Sequence, residues 1–377
     1  MILTYLRAVV LSVLVLLAAG CGSNSAQSTP PPTPTPAPCV PASNPAFAYL
    51  LNSDKITVSM YTVNSCTGAF TATTPSTIPT FPSLVGSEDM VVDRSGKFLY
   101  VANLVSNVVS PSAISMYSIN SSTGVLTPTA PPTVTSGWFP QGIAIDPAGK
   151  FVYTANTDDN TVSMFTVDAG TGVLTPTTPA SVVAGSNTVQ VVVDPSGRFV
   201  YAANRVGTVS MYTINGSTGV LSPMTPATVL PGGDPFALTV APSGKFAYVV
   251  DNSLNRVVQF SIDQVTGVLV PTTPVSAPTG PGPTAVAVDP SSKFAYVANR
   301  LDDTLSMYTI NSSTGVLTAN GVISTGNEPF RVNFDPSGKF LYVVNELSPV
   351  SVYTINSNGT LTNAGTTGVA ALQLAMH

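Results

Sequence analysis

Charge is scarce in this chain. Lys, Arg, Asp and Glu make up only 8% of its 377 residues, and the formal net charge is −5. No run of basic residues occurs, so a nucleic-acid partner is not expected. Histidine is rarer still: the single one, His377, is the last residue. A His-dependent nucleophile triad has nothing else to draw on. Gly-x-Ser-x-Gly elbows, Walker loops and Cys-x-x-Cys pairs are all missing. Asp158-Asp159 and Asp302-Asp303 lack the ligand spacing of a calcium loop. Neither a metal nor a cofactor is expected. No apolar run reaches the ~20 residues that span a bilayer.

What is present is Thr, Ser, Val, Pro and Gly in abundance, with 44% hydrophobic residues. Such a composition suits many short strands joined by turns, and it is too apolar for disorder. The N-terminus reads as a targeting segment. Arg7 precedes an apolar run over residues 8–19, and Leu17-Ala-Ala-Gly-Cys21 resembles a bacterial lipobox. That resemblance implies cleavage after residue 20 and lipidation of Cys21; an ordinary secretory signal cut nearby is the alternative. Either way the protein is expected outside the cytoplasm, at the cell envelope. Residues 21–42, rich in Pro, Thr and Ser, favour extended polyproline II and read as a tether. The membrane then enters only through the lipid.

Residues 43–377 repeat. Asp146-Pro-Ala-Gly-Lys-Phe151, Asp194-Pro-Ser-Gly-Arg-Phe199 and Asp335-Pro-Ser-Gly-Lys-Phe340 are copies of one motif. Further copies end at Phe98, Phe246 and Phe294, and a degraded one at Phe47. The spacings between successive Phe residues are 51, 53, 48, 47, 48 and 46, close to the ~40–50 residues of a propeller blade. Each unit reads as four strands, a to d. In the third they cover residues 142–146, 150–155, 161–167 and 173–179. Strands a to c are nearly all apolar, as in sheets covered on both faces. Strand d carries proline and belongs on an edge. The first unit lacks strand a, while residues 366–377 match the inner strand that follows Thr325. The expected fold is all-β: a seven-bladed β-propeller of four antiparallel strands per blade, closed by the C-terminal strand pairing with the N-terminal blade.

Phe294-Ala-Tyr-Val-Ala-Asn299 followed by Leu305-Ser-Met-Tyr-Thr-Ile310 resembles the Tyr-Val-Thr-Asn propeller repeat. The seven-unit chain resembles the lactonase family of seven-bladed propellers, which includes 6-phosphogluconolactonase-like proteins. The resemblance implies lactone hydrolysis by His, Arg and Glu near the channel top, with Pro-His entering strand a. Here those slots read Pro140-Gln141, Pro235-Phe236, Pro283-Thr284 and Pro329-Phe330.

Turns a–b and c–d fall on one face and are monotonous. Loops b–c and d–a fall on the other and vary, so a site is expected there. The candidates are Glu88, Asp89, Gln141 and Gln190 at the starts of strand a, Arg205, Arg300 and Glu346 in b–c loops, and Arg331. As a pocket, Arg205, Arg300 and Arg331 would hold a carboxylate or phosphate, with Glu88 or Asp89 as base. As a solvated rim, they would do neither. Cys66, in a c–d turn, and Cys39 lie on one face and are expected to pair. Two functions follow. One is a binding or scaffold module for a small-molecule, glycan or protein ligand. The other is a lactone hydrolase acting on a sugar-type lactone.

Overall fold

The computed structural model describes residues 46–377 except 53, 55, 81–85 and 105–111. The chain divides into two units after Cys39, and every described residue belongs to the second. The targeting segment 1–20, the tether 21–42, the lipidation site Cys21 and Cys39 lie outside the described residues.

The described residues form twenty-eight strands in seven four-stranded antiparallel sheets. Blades two to seven are contiguous in sequence, each ordered a-b-c-d from the axis outward. Blade one is composite: Gln373–Met376 supplies its strand a and pairs with Ala46–Leu51. The backbones of Phe47 and His377 exchange both hydrogen bonds, at 2.8 and 3.0 Å. The fold is the seven-bladed propeller that the repeat predicts.

The repeated residues hold the ring together in a way their spacing explains. In the a–b turn of blade three, Gly149 takes φ +70° and its N–H donates to the Asp146 carbonyl at 2.9 Å. The buried Asp146 carboxylate accepts from the Lys150 and Phe151 N–H groups, closing the hairpin. The Phe that ends the motif then packs on the next blade. A Cβ on Gly124 would overlap the Phe47 ring, and one on Gly172 would overlap Phe98. Two residues after each Phe, a buried Tyr donates its hydroxyl to the carbonyl of that same glycine. Tyr49 reaches Gly124 at 3.0 Å, Tyr100 reaches Gly172 at 2.9 Å, and Tyr342 closes the ring on Gly68 at 2.9 Å. Burial pushes the Tyr49, Tyr100 and Tyr342 hydroxyls well above the usual phenol range, so they stay donors. All seven blade junctions carry this latch.

Strand d differs from expectation in length. In blade three it runs over Leu174–Val183, beyond Pro179. Its pairing with strand c jumps from Phe165↔Pro176 to Ser163↔Ser181. The skipped residues bulge outward, where the Thr177 hydroxyl donates to the Pro179 carbonyl at 2.5 Å. An outer edge tolerates this because no further strand needs its N–H groups.

Candidate functional site

The inner strands carry a local irregularity that the repeat hides. In six blades, strand a slips register against strand b at one place: Ser87/Asp89, Pro140/Gly142, Thr188/Gln190, Pro235/Ala237, Pro283/Ala285 and Pro329/Arg331. A bulge opposes two residues to one and re-aims their side chains. Here it brings neighbouring residues of one strand, such as Glu88 with Asp89, to the channel mouth. Where the second bulge residue is Gly142, the next blade's backbone comes close instead: a Cβ there would stand 2.8 Å from the Gln190 Cα.

The result is a cavity of about 260 Å³ on the face of the b–c and d–a loops. All eight predicted residues line it: Glu88, Asp89, Gln141, Gln190 and Arg331 from strand a, and Arg205, Arg300 and Glu346 from b–c loops. Val189, Phe236 and Phe330 complete the lining. A hollow of about 470 Å³ on the outer flank of blade three is larger, but Asp159 is its one charged residue, and that carboxylate is taken by the Trp138 N–H at 2.6 Å.

Asp89 is the most constrained group in the cavity. Its Oδ1 accepts from the Met90 N–H at 2.9 Å and from the Gln373 amide. Its Oδ2 accepts from the Ile143 N–H of the next blade at 3.1 Å. An inner strand has no further neighbour, so its axis-side N–H groups need such partners. Gln190 serves the Leu238 N–H in the same way. Although Asp89 faces the lumen, protein surrounds it, and desolvation pushes its carboxyl above the usual range. The Arg331 charge and the three donors oppose that rise. Burial likewise works against the Arg331 cation and pulls it below the usual arginine range, with Asp89, Glu88 and Glu346 opposing that fall. The Arg331 guanidinium also lies over the Phe330 ring, 4.4 Å from its centroid.

Two of the three arginines expected to hold an anion are already engaged. Arg205 grips Asp234 with two hydrogen bonds, at 2.9 and 2.6 Å. Arg300 bridges Glu328 at 2.6 Å and Glu346 at 2.5 Å. Asp234 and Glu328 sit in d–a loops of the following blades, 29 and 28 residues further along, where no local pattern points to them. Phe236 and Phe330 were also unforeseen as a pair. They meet edge to face across the mouth, centroids 6.0 Å apart, with Arg205 over Phe236 at 5.1 Å. Their signal was the Pro-x slot, where both stand in place of histidine.

The one histidine lies elsewhere. His377 ends the closing strand on the face of the a–b turns, its ring against Gly96. Cys66 is disulfide-bonded, and it is the one cysteine among the described residues.

Fold and site together define a seven-bladed propeller with a polar cavity at one channel mouth. The chain belongs to the lactonase family of seven-bladed β-propellers, whose model matches residues 39–191 and 190–372. Solved structures agree on the fold. A proposed 6-phosphogluconolactonase from Bacteroides uniformis is 22% identical, with TM-score 0.73, covering 89% of this chain and 100% of its own. Another from Bacteroides fragilis is 19% identical, with TM-score 0.72 and coverage of 89% and 98%. The periplasmic gluconolactonase of Pseudomonas aeruginosa is 19% identical, with TM-score 0.70 and coverage of 87% and 97%. No curated protein matches the chain in sequence.

Proposed function

We propose that this protein is a lactone hydrolase that opens a sugar-type lactone in the channel-mouth cavity. The observation that carries the reading is the meeting of Asp89 and Arg331 there, with the carboxyl pushed up by burial and a guanidinium charge close by. Asp89 Oδ2 accepts one hydrogen bond from the described residues, so a lone pair remains for water. In the reaction, Asp89 takes a proton from water as its oxygen bonds to the lactone carbonyl carbon. Arg331 stabilises the resulting oxyanion. The C–O ring bond then breaks, and the Asp89 proton passes to the ring oxygen. The product is the open hydroxy acid, which ionises in solvent; the enzyme is restored.

The test is hydrolysis of D-glucono-δ-lactone by the purified protein, corrected for the spontaneous rate. Turnover that falls about 100-fold or more in Arg331→Ala is expected, the scale of losing one oxyanion partner. No enzyme-dependent rate, or an unchanged one in the variant, would reject the reading. One observation favours a binding module instead: the sole histidine is at the opposite end of the channel. In that case a ligand would occupy the cavity without turnover. The N-terminal residues support a further proposal, export and anchoring at the cell envelope through Cys21. Cys21→Ser should then release the protein from membranes, and retention would argue against the anchor.

A further inference from the structure

We infer that the cavity takes an uncharged sugar lactone, rejects its phosphorylated counterpart and repels its own anionic product. The inference rests on the hydrolase reading for the identity of the ligand. Its basis is a count of charge in place. Arg205 gives its Nε and one Nη to Asp234. Arg300 is held between Glu328 and Glu346. Arg331 feels Asp89, Glu88 and Glu346. Among the described residues, three guanidiniums therefore meet five carboxylates, and the mouth carries two negative charges in excess.

A phosphate dianion needs cations with free donors. Here it would have to compete with the carboxylates already held by Arg205 and Arg300, and at Arg331 it would sit among Asp89, Glu88 and Glu346. Like-charge juxtaposition in a partly desolvated site is strongly unfavourable. A neutral lactone meets no such barrier. It can lay its C–H face on Phe236 and Phe330, which meet edge to face, and offer hydroxyls to Gln141 and the carboxylates. Hydrolysis then converts a neutral ligand into a carboxylate inside an acidic mouth. The same excess charge that excludes a phosphate drives that product out.

The experiment compares D-glucono-δ-lactone with its 6-phosphate on the full chain at fixed ionic strength. We expect kcat/KM to favour the neutral lactone by about 100-fold or more. Equal or better turnover of the 6-phosphate overturns the inference and leaves the hydrolase reading standing. If neither substrate is turned over, the hydrolase reading fails, and titration with inorganic phosphate decides the exclusion separately. Wild type should show no saturable phosphate binding in the millimolar range. Asp234→Asn, which releases the Arg205 fork, should bind phosphate about 10-fold or more tightly than wild type, and Glu328→Gln should do so through Arg300. Saturable binding to wild type that Arg300→Ala removes overturns the inference, as does a failure of both releasing variants to gain phosphate binding.

Discussion

Asp89→Asn separates the chemistry of the cavity from its architecture. The substitution keeps shape and removes charge. Three donors face the carboxylate: the Met90 N–H, the Gln373 amide and the Ile143 N–H. An Asn side chain offers one oxygen where the carboxylate offers two, so at least one donor loses its acceptor or meets an N–H₂. That costs about 1–3 kcal/mol. Against it stands the relief of no longer burying a charge, because the Asp89 carboxyl is pushed up by desolvation. The two effects oppose each other, and a stability change under about 2 kcal/mol is expected. Its pH dependence has a definite sign. A raised carboxyl pKa means that the folded state binds the proton more readily than the unfolded chain. Ionised Asp89 therefore costs stability at neutral pH, and that cost disappears as pH falls through the raised pKa. The stability of the Asp89→Asn variant relative to wild type should be highest at neutral pH and decline on acidification.

Activity should respond far more. Loss of a positioned general base lowers the rate about 10²–10⁴-fold. The acid limb of kcat/KM, expected above the ordinary Asp value of about 3.9, should vanish from whatever rate is left. A continuous pH-indicator assay with D-glucono-δ-lactone, alongside thermal melts at several pH values, measures both. If the Asp89→Asn variant kept more than about a tenth of wild-type activity, a loss far short of the base scale, the base role would be refuted. An acid limb left in place would refute it equally.

Three further outcomes follow from the latches and turns. Tyr342→Phe leaves the buried Gly68 carbonyl without its 2.9 Å partner where blade seven meets blade one; urea unfolding should show a loss of about 1–3 kcal/mol. Gly124→Ala adds a Cβ that overlaps the Phe47 ring, at φ +70°, and should cost about 2 kcal/mol or more, whereas Gly216→Ala, with nothing within 4 Å, should stay within about 0.5 kcal/mol. Asp168 and Asp263 in exposed c–d turns are held below the usual carboxylate range, mainly by hydrogen bonds from Thr171 and Thr266. Such a group adds stability above its unfolded pKa and loses it as pH falls through the folded one. Replacing both with Asn, the residue at 64, 120, 215, 311 and 356 in the other blades, should flatten the acid loss below about pH 4, as read from melting temperature against pH.

The repeat made the blade number and the closing strand legible. Motifs such as Asp335-Pro-Ser-Gly-Lys-Phe340 recur at every turn, and residues 373–376 match an inner strand that the first unit lacks. The face that carries the cavity was legible too, since chain direction alone sorts the loops. The pairing of the arginines was not. Arg205–Asp234 and Arg300–Glu328 cross from one blade to the next, and a periodic sequence says which blades adjoin without saying which rim side chains meet. The bulge was hidden for another reason. It adds one residue to strand a without disturbing the Asp-to-Phe motif downstream, so Glu88 and Asp89 read as an ordinary alternating pair. Phe236 and Phe330 were visible in the sequence only as missing histidines, and distance across the channel turned them into one surface.

The seven Tyr-to-Gly latches have a mechanical consequence. A linear repeat array has free ends, and unfolding can begin there and travel inward. A closed ring has none. Any blade that opens must break the latch it gives and the latch it receives, together with two packed faces. The first blade lost is therefore the most expensive, and each later one is cheaper because a neighbour has already gone. Such a ring should melt in a single sharp transition, and its cavity, assembled from several different inner strands, should persist unchanged until the whole ring fails at once.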